Sequence, residues 1–218
     1  MPAVPELIPI PSPGTPLWFG EPGAPLVVVV HDWYGRTPGL EPLATALAYR
    51  GFRVAVPDLF NGVCTIDAGD AELLMRALDL GDALAELDDV IAIARTEGSE
   101  RVGILGFSMG GWLALLYAQG GEADAVVAYY ASLAPEEHGI IPAPVLLHFA
   151  EVDEWREGSE PASFIARLKD HSTPVATHTY LATQHSFANS SIASRIDPNA
   201  AALAFARSVQ FFSNHLVD

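Results

Sequence analysis

A serine between two glycines carries the strongest chemical signal in this sequence. Ser108 lies in the segment Gly106-Phe107-Ser108-Met109-Gly110, with an apolar run on each side of it. Between a strand and a helix, a Gly-x-Ser-x-Gly segment forms a tight turn that exposes the serine hydroxyl, and bulkier residues at the glycine positions would clash. The bare pattern is common by chance, but in this predicted strand–helix context it indicates that Ser108 is a nucleophile.

A serine hydroxyl is a weak nucleophile until a base takes its proton. The chain order that accompanies this turn is serine, then a carboxylate, then histidine. His185 follows the last predicted strand and comes before the terminal helix, where the base is expected. The other histidines downstream of Ser108 are less well placed and are interpreted as surface or packed residues: His138, His148, His171, His178 and His215.

The carboxylate that orients the base should follow the strand before the last one. The segment Phe149-Ala150-Glu151-Val152-Asp153-Glu154 offers three carboxylates at that place. We favour Asp153, because a residue several positions beyond the strand can reach back over the edge of the sheet. Glu151 and Glu154 remain alternatives, and solvated carboxylates at these two positions would need no explanation.

Acyl transfer also needs two backbone N–H donors for the developing oxyanion. The first is expected on Met109, the residue after the nucleophile. The second is expected in the loop Asp32-Trp33-Tyr34-Gly35, which follows the apolar run Leu26–Val30, and Trp33 is the favoured position. The rings of Trp33, Tyr34 and Trp112 are either part of an apolar substrate pocket or ordinary packing.

The elements that would position these residues alternate along the chain. Apolar β-branched runs read as strands buried on both faces, and apolar residues at helical spacing lie between them. This alternation predicts an α/β domain with a mostly parallel sheet, helices on both faces and right-handed crossovers. The predicted strands are Leu26–Val30, Phe52–Val56, Arg101–Gly106, Ala125–Tyr130, Pro144–Phe149 and Val175–Leu181.

The pattern contains no internal repeat and no second domain, so residues 1–218 are predicted to form one domain. Residues 1–25 are rich in proline, which confines any strands there to a sheet edge. Residues 60–78 are ambiguous: they hold either a short helix over the site or a surface excursion.

Composition excludes several classes of function. The chain has 11 basic and 27 acidic residues, a net charge of −16, which argues against binding nucleic acid or an anionic membrane. Cys64 is the single cysteine, so no internal disulfide can form, and the N-terminus lacks the pattern of a secretory signal. We therefore expect a cytoplasmic protein. The scattered histidines show no ligand spacing, so no metal is expected.

Taken together, several segments resemble the dienelactone hydrolase family. They follow in the family's order from about Leu26 to the C-terminus: His31-Asp32-Trp33-Tyr34-Gly35, Val56-Pro57-Asp58-Leu59-Phe60, Gly103 through Gly111, Ala128-Tyr129-Tyr130, Asp153, and His185-Ser186-Phe187-Ala188-Asn189. The resemblance implies an α/β-hydrolase fold without a large cap domain and cleavage of esters or enol-lactones without a cofactor. It implies a triad of Ser108, Asp153 and His185, with Trp33 as the second oxyanion donor.

This chain departs from the best-known members of the resembling family at three places. Those members have cysteine at the position of Ser108 and glutamate at the position of Asp32. They also have arginines that bind a substrate carboxylate, where this chain has Asn61-Gly62 and Asn189. Without those cations a carboxylated lactone loses its charge-assisted partners.

The sequence therefore predicts a serine hydrolase that cleaves a carboxylic ester or lactone through an acyl-enzyme, with a substrate that is either neutral or anchored differently from those of the best-known members. Substrate contacts are expected from five residues, Asp32, Tyr34, Trp112, Phe187 and Asn189. Two alternatives stay open: a thioesterase or general carboxylesterase of the same fold, and a binding protein without turnover. The sequence does not indicate the natural substrate, the oligomeric state or the role of Asp32.

Overall fold

The computed structural model describes residues 5–155 and 160–217. Its strands are β1 (Ile8–Pro9), β2 (Leu17–Phe19), β3 (Leu26–Val30), β4 (Arg53–Val56), β5 (Val63–Cys64), β6 (Val102–Phe107), β7 (Ala125–Tyr129), β8 (Val145–Val152) and β9 (Val175–Gln184). Its α-helices are α1 (Leu40–Ala48), α2 (Ala68–Ala77), α3 (Leu80–Thr96), α4 (Met109–Tyr117), α5 (Pro161–Asp170) and α6 (Pro198–Leu216).

A mostly parallel sheet forms the centre of the fold. Within the described residues it has seven strands in the order β2-β4-β3-β6-β7-β8-β9, and β2 is the antiparallel strand at one edge. The strands β3, β6 and β7 are buried along their whole length, as expected when both faces of a sheet are covered. The predicted α/β fold class is thus confirmed.

Two hydrophobic cores lie on opposite faces of this sheet. One core packs residues of α3, α4 and α5 against the sheet, with Leu87, Leu113 and Phe164 among its buried members. The other packs α1 and α6, with Leu47 and Phe212 among its members. Because helices cover both faces, the carboxyl-terminal edge of the parallel strands is the place where side chains from several strands can meet around a ligand.

Two strands run further than the hydrophobic pattern predicts. Strand β8 continues to Val152 and pairs there with Gln184 of β9, past an irregularity after Ala150. These extra residues mix polar with apolar and buried with exposed positions, so their sequence gives no clear strand signal, but pairing between the two strands holds them in the sheet. As a result Asp153 and His185 each follow directly after a strand.

Residues 60–78 contain regular structure. Strand β5 pairs with β1 in a separate two-stranded sheet, and helix α2 follows with Asp67 as its N-cap, where the Asp67 side chain accepts a hydrogen bond from the Asp70 amide. Helix α2 lies beside the edge of the site, where Met75 and Leu78 approach Met109 and Trp112. Of the two predicted possibilities, the structure has the helix, and it flanks the site.

Candidate active site

Ser108 occupies a strained turn between β6 and α4. Its backbone has φ 51° and ψ −115°, a conformation that non-glycine residues adopt only when the surrounding structure enforces it. A Cβ on Gly106 would lie 2.0 Å from the Gly110 carbonyl oxygen, and one on Gly110 would lie 2.3 Å from the carbonyl oxygen of His31. The two glycines are therefore required by close packing of the turn against β3.

A continuous line of hydrogen bonds joins Ser108 to a histidine and a carboxylate. Ser108 Oγ lies 2.7 Å from His185 Nε2, and His185 Nδ1 lies 2.8 Å from Asp153 Oδ1. The His185 and Asp153 side chains are only 7% and 3% exposed. A carboxylate at Nδ1 fixes the proton on that nitrogen, so Nε2 is left as an acceptor for the serine hydroxyl. This geometry matches the needs of an activated nucleophile.

The structure discriminates among the three carboxylates after β8. The Glu151 carboxylate accepts a hydrogen bond from the Ala182 amide at 2.7 Å, and Glu154 forms an ion pair with Arg195 at 2.8 Å. Both glutamates are exposed, whereas the Asp153 side chain is buried against His185. Asp153 is the carboxylate of this segment that contacts the imidazole.

Two backbone amides are candidates for binding an oxyanion. Met109 begins helix α4, and amides in the first turn of a helix have no acceptor within that helix. Trp33 lies in the loop that follows β3, and β3 is the strand next to β6 in the sheet. The N-terminal end of α4 adds a partial positive charge near Ser108, which favours a developing anion.

Buried polar contacts fix the loop that carries Trp33. His31 donates from Nδ1 to the Asp32 carbonyl oxygen (2.7 Å), and its Nε2 accepts from the Leu59 amide (3.1 Å). Burial lowers the pKa of His31 to about 4, so the ring stays neutral and can make both contacts. The Asp32 carboxylate also accepts from the Tyr34 amide at 2.9 Å.

Asp32 and Asn189 connect two loops behind the nucleophile. Asn189 Nδ2 donates to Asp32 Oδ2 at 2.7 Å, which ties the loop after β3 to the loop that carries His185. Burial raises the pKa of Asp32 to about 6, although the hydrogen bonds from Tyr34 and Asn189 favour its charged form. Both side chains line a small cavity next to α1, apart from the cavity at Ser108.

A cavity of about 190 Å³ opens at the nucleophile. Trp112, Tyr130 and Trp155 are aromatic members of its lining, and the cavity also contains Ser108, Met109, Asp153 and His185. Trp155 packs edge-on against Trp33 at 4.9 Å between ring centroids, and Tyr130 packs on His185 at 4.8 Å. Sequence reasoning identified neither Trp155 nor Tyr130. Tyr130 directly follows β7 and Trp155 lies two residues after Asp153, and these positions were the available signal.

Four of the five predicted substrate contacts do not line the cavity at Ser108: Asp32 and Asn189 line the small cavity next to α1, and Phe187 and Tyr34 pack elsewhere. Phe187 is 0% exposed and packs among Tyr129, Tyr130 and Tyr180 in the core, so the expectation that it contacts substrate is not met. Tyr34 is 7% exposed and packs against Ala71 and Ile192. An apolar segment after a strand can enter the core or face a ligand, and the sequence pattern is the same in both cases. Trp112 does line the cavity at Ser108.

The described residues contain neither a candidate metal site nor a candidate membrane span. Across residues 5–155 and 160–217, no three or more His, Cys, Asp or Glu side chains form a group that could hold a metal ion. In that same part of the chain, no helix has both the length and the apolar character needed to cross a bilayer.

A mostly parallel sheet with helices on both faces, and a serine on a strand–turn–helix corner at its carboxyl edge, defines an α/β-hydrolase fold. Solved structures share it. A dienelactone hydrolase-like promiscuous phosphotriesterase from metagenomic libraries superposes with a TM-score of 0.74 at 23% identity, covering 88% of this chain and 86% of that one. A monoacylglycerol lipase from Paleococcus ferrophilus superposes with a TM-score of 0.66 at 16% identity, covering 92% and 98%.

Sequence comparison places the chain more narrowly. The model of the dienelactone hydrolase family matches residues 16–216, and the chain therefore belongs to that family. A carboxymethylenebutenolidase from Rhodococcus opacus is 31% identical over 209 residues, covering 87% of this chain and 81% of the relative. Protein usf from Aquifex pyrophilus is 27% identical over 217 residues, covering 93% and 91%.

Proposed function

We propose that this chain is a serine hydrolase that cleaves a neutral carboxylic ester or lactone through an acyl-enzyme. One observation carries the proposal: the hydrogen-bonded line from Ser108 through His185 to Asp153, at 2.7 and 2.8 Å. It begins on a strained turn that presents the serine hydroxyl to a cavity. Membership in a hydrolase family supports the same chemistry.

The proposed reaction begins with proton transfer. His185 Nε2 takes the proton of Ser108 Oγ as the oxygen attacks the substrate carbonyl carbon, and Asp153 holds the imidazolium that forms. The carbonyl oxygen becomes an oxyanion, which accepts hydrogen bonds from the Met109 and Trp33 amides. When the tetrahedral intermediate collapses, the bond to the alcohol oxygen breaks and His185 gives that oxygen its proton. Water then repeats the sequence on the acyl-enzyme and releases the acid.

A neutral substrate fits the charge of the site. Of the residues described around the cavity at Ser108, none is a lysine or arginine, and the chain as a whole has a net charge of −16. A substrate carboxylate would therefore find no charge-assisted partner among the described lining residues and would meet an unfavourable field. The relative from Rhodococcus opacus is named for a carboxylated lactone, and we propose that this chain has a different substrate preference.

A substrate panel tests this proposal. Wild-type protein is expected to hydrolyse p-nitrophenyl acetate with kcat/KM at least about tenfold higher than that for carboxylated dienelactone, because the latter loses a charge-assisted interaction worth on the order of 1.5–3 kcal/mol. Acetyl thioester and acetyl ester are compared at matched concentrations to separate esterase from thioesterase activity. A strong preference for the carboxylated lactone would contradict a neutral substrate, and absence of turnover on every compound would contradict the enzyme assignment.

A further inference from the structure

A second cavity adjoins the one at the nucleophile. It has a volume of about 350 Å³ and lies between α2, α3 and α4. Its lining is wholly apolar: Met75, Leu78, Leu80, Met109 and Trp112. Met109 and Trp112 line both cavities, so the two cavities share a wall formed by the residues that follow Ser108. We call the second cavity the apolar groove.

The aromatic wall between the two cavities is held in place. Trp112 Nε1 donates to Glu137 Oε1 at 3.2 Å, and the other oxygen of Glu137 accepts from the Ala134 amide at 3.0 Å. These contacts fix the orientation of the indole, which lines both cavities. The nucleophile cavity alone, at about 190 Å³, is small for an organic ligand, whereas the adjoining groove brings the site into the usual range for small-molecule pockets.

The need for proton transfer from His185 fixes how the substrate must be oriented in the site. The alcohol that leaves must receive its proton from His185, so it has to lie on the histidine side of the reacting carbon. His185, Asp153 and Trp155 line the nucleophile cavity and not the apolar groove. Met109, whose amide is a candidate oxyanion donor, lines the groove, so the groove is the cavity into which the acyl substituent would extend.

From this arrangement we propose that the apolar groove binds the acyl chain of the substrate, and that the chain is a neutral, medium-length alkyl group. The inference rests on the proposed esterase function and adds the substrate class to it. Thioether, alkyl and indole groups offer no hydrogen bond to a polar acyl group, so burial of methylenes is the interaction they can supply. The nucleophile cavity is left for the alcohol portion.

Charge beyond the groove favours a neutral chain end. Leu78 also lines a neighbouring cavity that contains the carboxylates of Asp58, Asp79, Asp82 and Glu86. The pKa of Glu86 is raised mainly by its burial, with Asp89 and Asp58 adding to that effect and Arg36 opposing it. An acyl chain that ended in a carboxylate would place its charge beside these groups and would be repelled.

The test is a chain-length series of p-nitrophenyl esters, from acetate through butyrate and hexanoate to octanoate. For wild-type protein, kcat/KM is expected to rise by up to about fourfold per methylene until the groove is filled. The p-nitrophenyl half-ester of suberic acid, which matches octanoate in length but ends in a carboxylate, is expected to be at least about tenfold poorer than octanoate at low ionic strength and less so at high salt.

Leu80→Trp is the variant that fills the apolar groove. Leu80 is 42% exposed at the start of α3, so a larger side chain can occupy the groove without disturbing the core. The ratio of octanoate to acetate kcat/KM is expected to fall at least about tenfold. Leu73→Trp on α2 is the control, because Leu73 is 55% exposed and does not line the groove, and the wild-type ratio is expected to persist. Circular dichroism confirms that both variants fold.

The outcomes separate the two proposals. A flat chain-length profile with active acetate hydrolysis, an unchanged ratio in Leu80→Trp, or a preference for the suberic half-ester would overturn the acyl assignment while leaving the esterase intact. No hydrolysis of any ester by the wild-type protein would overturn both.

Discussion

Replacing Ser108 by alanine is expected to lower kcat for ester hydrolysis on the order of 10⁶-fold without unfolding the protein. The substitution removes the oxygen that lies 2.7 Å from His185 Nε2. Alanine has the same backbone restriction as serine at φ 51°, so the turn keeps its strain and its shape. The measurement is kcat on p-nitrophenyl acetate together with the free energy of unfolding.

Two further variants make this experiment specific. Ser108→Gly is expected to be equally inactive but more stable than Ser108→Ala by about 1 kcal/mol, because glycine accepts a positive φ without strain. Ser194→Ala removes an exposed serine in the loop after His185 and is expected to retain wild-type kcat. Activity in Ser108→Ala within a factor of about 100 of wild type would assign the chemistry to another residue.

The second large effect is expected from Asp153→Asn, which should lower kcat about 10⁴-fold. The asparagine amide can donate to His185 Nδ1, which would force the ring proton onto Nε2. That nitrogen could then no longer accept from Ser108 Oγ. The change is nearly isosteric, but Asp153 Oδ1 also accepts from the Trp155 amide at 3.0 Å, and an asparagine that donates to His185 from that position gives up this second contact.

Glu154→Gln is the control for Asp153→Asn. Glu154 is the next residue, its side chain is 44% exposed, and its ion pair with Arg195 lies at the surface. Exposed ion pairs contribute little, so kcat is expected to stay within about twofold of wild type. If Asp153→Asn kept kcat within about tenfold, Asp153 would not be the group that sets the histidine tautomer.

The fold was predictable because its strands are buried on both faces. Continuous β-branched runs such as Leu26–Val30 give a strong signal, and their alternation with amphipathic helices determines the layer order. The ends of β8 and β9 gave no such signal. Their last residues mix polar with apolar and buried with exposed positions, and pairing between neighbouring strands, which a local pattern does not contain, keeps them in the sheet.

The three candidate catalytic residues were predictable from their order along the chain. Ser108, Asp153 and His185 each follow a strand, and parallel strands bring their carboxyl ends to one edge, where the structure places the three side chains in hydrogen-bond contact. Chain order does not specify how aromatic residues divide between core and cavity. Phe187 lies in the core and Trp155 lies at the site, because each packs against residues that are distant in the sequence.

The departures from the best-known family members have a common physical consequence. Asn189 contacts the buried Asp32 carboxylate at 2.7 Å, so this position links two loops here. Aromatic and aliphatic side chains are prominent in the described lining of both the nucleophile cavity and the apolar groove. Both features favour binding energy from apolar burial over charge pairing, which is why the proposed substrate is a neutral ester.

Covalent labelling tests the central claim most directly. Wild-type protein is treated with an alkyl fluorophosphonate, and the intact mass and the proteolytic peptides are measured. The expected result is one adduct per chain, located on Ser108, with ester hydrolysis lost in proportion to labelling and no adduct in Ser108→Ala. An unlabelled protein that hydrolyses esters, or an adduct on a different residue that accompanies the loss of activity, would contradict the assignment of Ser108 as the nucleophile.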